Sequence, residues 1–260
     1  MPELLEIETY RVAAEAVLGR RIAAVHAPDG WYLKRGTDEA ALIGALLDEE
    51  VVEATRLGKL LMLSLTGGAV LGLRFGMTGR LVVDGRAPIE RLEYSSGRFD
   101  DAWIRFSVTF AGGGSLTIFD QRRLGGVELD PDLSMLGPEA STVTVAQLRE
   151  SIGTSSSSLK ALLLDQQRLA GLGNLLVDET LWRARLDPVR PARSLDGAEQ
   201  RRLASAIRST VATLARRGGS HTGDLQVARQ PGAVCPRCAT PLQRRSVATR
   251  TTWSCPLEQR

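Results

Sequence analysis

Hydrophobic and polar residues change period about halfway along the chain. Residues 3–20, rich in Glu, Ala, Leu and Arg, read as a helix that stops at Gly19 before a β-like run over 21–26. Such a helix puts Glu3 and Glu6 on one face. Runs of strand character follow at 59–65, 70–75, 81–83, 102–110 and 115–119, divided by Thr66-Gly67-Gly68, Asp84-Gly85 and Gly112-Gly113-Gly114. Short strands separated by glycine turns predict an antiparallel sandwich or barrel over roughly residues 20–130.

From residue 143 the pattern becomes helical, first over 143–152 and then, past a short serine run, over 159–165. The clearest helix is 197–217. Leu203, Ile207, Val211 and Leu214 form its apolar stripe, and Asp196 with Glu199 offers a capping-box start. No internal repeat is present. The pattern predicts an α+β protein: an amino-terminal helix with an antiparallel β-sandwich over 1–130, a linker over 131–142 holding Pro131 and Pro138, and a helical second half.

A chain of 260 residues, 43% hydrophobic, can bury one large core or two smaller ones. No run reaches the roughly 18 apolar residues needed to span a bilayer, and the amino terminus is acidic where a signal peptide is basic and then apolar. The expectation is a cytoplasmic protein without a membrane partner. Nothing suggests a coiled coil, so a monomer is expected.

The net charge of +3 hides an asymmetry: residues 1–130 carry 15 basic and 19 acidic side chains, residues 131–260 carry 18 and 11. The basic groups of the second half are nearly all arginine, which forks onto phosphate oxygens, so a polyanion is a sensible partner; a solvated basic face is the plainer alternative. With two histidines, His26 and His221, a histidine-rich metal centre or a Ser/His/Asp triad is excluded as a prime expectation. Three cysteines, all after residue 230, do not make a disulfide framework.

Several segments carry candidate chemistry. If Met1 is removed, Pro2 presents a secondary amine that titrates near pH ~8 and can act as a nucleophile. The carboxylates of Glu3 and Glu6 stand beside it, although the helix dipole alone would favour acidic residues there. Lys59 begins a strand in Arg56-Leu57-Gly58-Lys59-Leu60-Leu61, where a lysine is ordinarily just solvated. Asn174 follows Gly171-Leu172-Gly173 where a new helix would start, a place that offers free N–H groups to a phosphate. Finally, Cys235-Pro236-Arg237-Cys238 and Cys255-Pro256-Leu257-Glu258 have zinc-ligand spacing with three thiols.

Taken in order, these blocks resemble the formamidopyrimidine-DNA glycosylase and endonuclease VIII family over nearly the whole chain. The segment Pro2-Glu3-Leu4-Leu5-Glu6 is similar to the family's amino-terminal signature, with Leu5 where a second proline is usual. The resemblance implies that Pro2 is a Schiff-base nucleophile, Glu3 the acid and base that helps open the sugar ring, Glu6 a supporting carboxylate, and Lys59 a phosphate contact taking part in elimination. Arg74-Phe75-Gly76-Met77-Thr78-Gly79 and Phe119-Asp120-Gln121-Arg122-Arg123-Leu124-Gly125 are similar to loops that enter the duplex where a nucleotide is everted, with Met77, Arg122 and Leu124 at the wedge positions and Arg123 beside them on DNA. Leu124 stands where purine-lesion enzymes often have an aromatic residue.

Residues 159–174 resemble the family's helix-two-turn-helix, with Lys160 and Asn174 expected on phosphates. The cysteine segment resembles its zinc hairpin, with Glu258 replacing the fourth cysteine. The resemblance thus implies a zinc-ribbon-like β-hairpin over 231–260 behind a helical domain over 143–230, with zinc held by Cys235, Cys238, Cys255 and Glu258. His221 or water as fourth ligand, or a metal-free hairpin packed around Trp253, remain open. Arg250 matches a hairpin arginine directed at phosphate.

The activity implied is a bifunctional DNA glycosylase and abasic-site lyase of base excision repair, nucleoid-associated, acting on damaged double-stranded DNA in a cleft between the halves and nicking by β,δ-elimination, with single-stranded or bubble DNA open as a further partner. Residues 218–227 are short beside the longer loop that caps an oxidised guanine. Formamidopyrimidines, hydantoins or oxidised pyrimidines are therefore favoured over 8-oxoguanine, with bulky adducts open. A non-catalytic damage-binding protein and a zinc-ribbon regulator are the competing classes.

Overall fold

A computed structural model describes residues 2–93 and 97–260, and the chain divides into two compact units, Met1–Leu133 and Ser134–Arg260. Met1, whose removal would expose the Pro2 amine, lies outside the described residues. In the first unit, helix α1 (Leu4–Ala14) ends earlier than the sequence pattern predicts, its last turn tightening into a 3-10 turn over Glu15–Val17 before the chain reverses at Gly19. Glu3 is not inside the helix but at its N-cap.

Among the described residues eight strands follow: β1 (Ile22–His26), β2 (Val51–Leu57), β3 (Leu60–Leu65), β4 (Val70–Arg74), β5 (Arg80–Val83), β6 (Ile104–Phe110), β7 (Ser115–Phe119) and β8 (Gly126–Leu129), with helix α2 (Glu39–Leu46) between the first two. They form two four-stranded sheets, ordered β1-β6-β7-β5 and β2-β3-β4-β8, with every neighbouring pair antiparallel. Alternation along the strands sends Leu61, Leu63, Leu71, Leu73, Phe106 and Ile118 into one core, which α1 joins through Ile7 and Tyr10. The Tyr10 ring lies 4.6 Å from that of Phe75, anchoring α1 to the end of β4 by an aromatic contact.

The second unit is helical: α3 (Val145–Ile152), α4 (Leu159–Leu164), α5 (Asn174–Ala184) and α6 (Gly197–Arg217). The last matches the predicted bounds. Asp196 accepts from the Glu199 N–H at 2.8 Å and Glu199 from the Asp196 N–H at 3.1 Å, a reciprocal cap, while Leu203, Ile207, Val211 and Leu214 are buried. A hairpin of β9 (Gln243–Val247) and β10 (Arg250–Ser254) packs on α5. Among the described residues no helix is long and apolar enough to cross a membrane.

Candidate active site and nucleic-acid interface

Glu3 and Glu6 form a capping box at the start of α1: the Glu3 side chain accepts from the Glu6 backbone N–H, and Glu6 Oε2 accepts from the Glu3 N–H at 2.9 Å. Pro2 and Glu3 are buried and Glu6 nearly so. The box satisfies two helix-end donors and holds two carboxylates beside the residue that the sequence marks as nucleophile. Lys59, half-buried, lies in the two-residue turn between β2 and β3. That turn is tied to α1 through Arg56, whose guanidinium contacts Glu8 at 3.0 Å and donates to the Gly58 carbonyl at 2.8 Å. Burial would raise the Glu8 carboxyl, but Arg11 and Arg56 together hold it below its ordinary value.

The two loops predicted to enter DNA are built around Asp120, which is fully buried. Its Oδ1 accepts from Thr78 Oγ1 at 2.6 Å and from the Arg122 N–H at 3.2 Å. Its Oδ2 accepts from the N–H groups of Leu124 at 3.0 Å and Gly125 at 2.8 Å. One carboxylate therefore winds residues 120–125 into a turn and fastens it to the turn after β4. Gly76 makes the approach possible, since a Cβ there would lie 2.4 Å from the Leu124 carbonyl carbon and the backbone has φ +54°. Met77, Arg122 and Leu124 are thereby brought together: Arg122 reaches Met77 Sδ at 3.4 Å, and Leu124 is 51% exposed.

Arg123, expected on DNA, keeps a half-exposed side chain, and its guanidinium forks onto Asp29 with both N–O distances 2.6 Å, on a backbone at φ +55°. The Arg123 guanidinium in turn holds the Asp29 carboxyl below the usual range, against the effect of burial.

Lys160 requires a correction. The family resemblance puts it on a phosphate, but it is fully buried, with Nζ 2.6 Å from Asp178 Oδ1 and 3.2 Å from the Thr251 carbonyl. Arg229 contacts Asp178 Oδ2 at 2.9 Å, and the Trp253 N–H donates to the same oxygen at 3.4 Å. Burial pushes the Asp178 carboxyl up, opposed by Lys160 and Arg229. The cluster docks β10 onto α5. A buried lysine needs such partners, because an unpaired buried charge is prohibitively costly.

Asn174 joins the same joint rather than capping α5. It is the first helical residue, after Gly173, and its Nδ2 donates to the Thr251 carbonyl at 3.2 Å, while its buried Oδ1 has no hydrogen-bond partner among the described residues. Arg250 is exposed at the start of β10, directly after a two-residue turn in which Ala248 and Thr249 have φ +50° and +60°. Positive φ at both central residues is the hairpin turn that matches strand twist, here adopted without glycine or asparagine. Glu179, adjacent in sequence to Asp178, accepts from the Asp224 and Leu225 N–H groups at 3.1 and 2.8 Å and contacts Arg183 at 2.7 Å, which fixes the segment after α6.

The sulfurs of Cys235, Cys238 and Cys255 lie within 4.8 Å of one another. Trp182 Nε1–H donates to Cys235 Sγ at 3.3 Å and the Glu258 N–H to Cys255 Sγ at 3.4 Å. Burial would raise the Cys235 thiol, but the Trp182 donor and neighbouring backbone N–H groups bring it down to about 7. Three convergent sulfurs with donors on two of them suit a thiophilic cation such as zinc. Glu258, expected as fourth ligand, lies outside this sulfur cluster, with its carboxylate 3.2 Å from both Arg185 and Arg237. His221 is exposed in the turn over Ser220–Thr222 and is not part of the sulfur cluster.

Asp120, Asp178, Glu179 and Asp29 carry the architecture of these sites and were given no role by the sequence pattern. Asp120 had a readable signal, an aspartate opening a loop whose next N–H groups it could accept.

The family model for the formamidopyrimidine-DNA glycosylase N-terminal domain matches residues 1–127, and that for the H2TH domain matches residues 136–225. The formamidopyrimidine-DNA glycosylases of Symbiobacterium thermophilum and Thermus thermophilus are each 36% identical to the chain, covering 98% of it and 88% and 97% of their own lengths. Two solved structures of the Lactococcus lactis protein, one of a mutant with Fapy-dG-containing DNA and one with abasic-site-containing DNA, match at TM-scores of 0.85 and 0.84, each with 26% identity and 100% coverage of both chains. With both halves matched in order and nearly every residue covered, the chain belongs to the formamidopyrimidine-DNA glycosylase family.

Proposed function

We propose that this protein is a DNA glycosylase of base excision repair that is also an abasic-site lyase, acting through the Pro2 amine. The observation that carries the reading is the reciprocal Glu3–Glu6 box, which places two buried carboxylates at a helix start immediately after Pro2. Once Met1 is removed, the neutral amine attacks the sugar C1′ and the damaged base leaves with its bonding pair. Glu3 transfers the proton that opens the sugar ring, and an iminium links Pro2 to C1′. Loss of the C2′ proton then expels the 3′ phosphate, a second elimination expels the 5′ phosphate, and water releases the sugar remnant from Pro2. Lys59, in the turn tied to α1, is the group assigned to phosphate and to these proton transfers.

The substrate class is damaged double-stranded DNA, with oxidised or ring-opened bases as the lesions. A stacked base must be everted at a cost of roughly a few kcal/mol. Met77, Arg122 and Leu124, presented together by Asp120, are assigned to fill the gap. Arg250, at the tip of the hairpin, is assigned to phosphate, and Lys160 and Asn174 to positioning that hairpin through the Thr251 carbonyl. Cys235, Cys238 and Cys255 would hold zinc, which supplies a crosslink at the hairpin base and no part of the reaction.

Borohydride trapping on abasic duplex DNA tests the reading. The native protein should give a covalent adduct, a form blocked at its amino terminus should give none, and P2G, with a primary amine in place of the secondary one, should react more slowly. If the unblocked protein binds this DNA without forming an adduct, the lyase assignment fails and a damage-binding protein on the same scaffold takes its place.

A further inference from the structure

Residues 29–34 run beside the loop that Asp120 organises. Asp29 Oδ1 accepts from the Trp31 N–H at 3.2 Å and from Arg123 at 2.6 Å, so one carboxylate oxygen joins the backbone of Trp31 to an arginine within the 120–125 loop. Further on, the Lys34 N–H donates to the Val127 carbonyl at 2.8 Å, which keeps the segment alongside as the loop enters β8. Trp31 sits in a 3-10 turn over Gly30–Tyr32 that Asp29 caps, and Tyr32 is fully buried.

The Trp31 indole is nevertheless 69% exposed, while Trp182 and Trp253 are each 6% exposed. Lys34 Nζ stands 5.0 Å from its ring centroid, and Arg105 Nε lies 3.7 Å from Asp29 Oδ2. A solvent-facing indole on a backbone turn fastened by Asp29, with the Lys34 ammonium beside its ring, suits a flat aromatic ligand attached to phosphate. Bases of an intact duplex are already stacked on their neighbours and offer no face. An unpaired base does.

We propose that Trp31 is a stacking platform for an unpaired nucleobase beside the 120–125 loop, so that the protein selects DNA whose strands are locally unpaired. The proposal rests on the reading of that loop as facing DNA. It adds a recognition element that is absent from the wedge itself and does not depend on the amine chemistry.

The test uses three DNAs of one sequence: an intact undamaged duplex, the same duplex with one abasic site, and an undamaged duplex with a three-nucleotide bubble. Binding is measured by fluorescence anisotropy for the wild type, W31A and W31F. The expected result is that W31A loses about tenfold in affinity for the bubble while its affinity for the intact duplex is unchanged within about twofold, and that W31F keeps most of the bubble affinity. Protein fluorescence should be quenched on binding the bubble in the wild type and less so in W31F. Equal bubble affinity for W31A and wild type overturns the proposal, as does an equal loss on the intact duplex. Preference for the abasic over the intact duplex reads the glycosylase assignment separately, so that either reading can fail while the other stands.

Discussion

Replacing Asp120 by Asn keeps the side-chain shape and removes one acceptor oxygen, which makes it a clean probe of how the wedge loop is built. Each oxygen of Asp120 serves two donors: Thr78 and the Arg122 N–H on one side, the Leu124 and Gly125 N–H groups on the other. Turned one way, its NH2 meets the Leu124 and Gly125 N–H groups and both bonds are lost; turned the other, it can donate to the Thr78 hydroxyl but meets the Arg122 N–H, and every remaining bond loses the help of the charge. Hydrogen bonds to a charged group contribute about 1.5–3 kcal/mol each, and the half-exposed rim lets water serve part of the deficit, so D120N should cost about 3 kcal/mol. For a unit of the size of Met1–Leu133 a kilocalorie is worth roughly 3–5 °C, so the transition that carries this unit should fall by roughly 10 °C in calorimetry. T78V, which removes one donor of the four, should cost about 1 kcal/mol. With the loop loosened, affinity for abasic duplex should fall by about tenfold or more while affinity for undamaged duplex, dominated by phosphate contacts, changes little. A melting transition unchanged within about 1 °C, or equal losses on both DNAs, would refute the assignment of Asp120 as the organiser of the wedge.

K160M should destabilise the second unit by about 3 kcal/mol, the low end for breaking a buried ion pair because Arg229 stays on Asp178, as read by denaturant unfolding. The same variant should leave the salt dependence of DNA binding as it is, whereas R250A should reduce its log–log slope by about one. Unchanged stability with a reduced slope for K160M would restore Lys160 to the phosphate. E258C should raise resistance to zinc removal by a competing chelator roughly tenfold or more, because it adds a thiolate where the native carboxylate is held by Arg185 and Arg237. Equal retention by the two proteins would show that Glu258 leaves its arginines to complete the site, or that another group does.

What was legible in the sequence was periodic or local. The α6 stripe and its capping box needed only neighbours three and four apart, and both emerged with the predicted bounds. The strand β2 was missed because its apolar residues do not alternate and only Val51 and Ala54 are buried, while β8 is a buried strand of four residues with no room to show a period. Helix α2 has no polar side chain after Glu39, with Leu42 and Leu46 buried and no polar face to mark its period. At the site, residue types could be matched to a family block by block, but burial could not be read. Lys160 has the charge of a phosphate ligand, and its fate is decided by Asp178 and by a carbonyl 91 residues downstream.

The same blindness affects the inference from charge. The second half has seven more basic than acidic side chains (18 against 11), which read as the footprint of a polyanion. In the structure Lys160, Arg183, Arg190, Arg229 and Arg245 are each engaged by an internal carboxylate and hold segments of the fold to one another. Arg244 and Arg250, by contrast, stand exposed on the hairpin. A charge already spent on a buried carboxylate does little to attract a phosphate. Electrostatic attraction in this half therefore depends on fewer groups than composition implies, and the hairpin that carries two of them is itself held in place by the lysine and the arginine that the count had assigned to DNA.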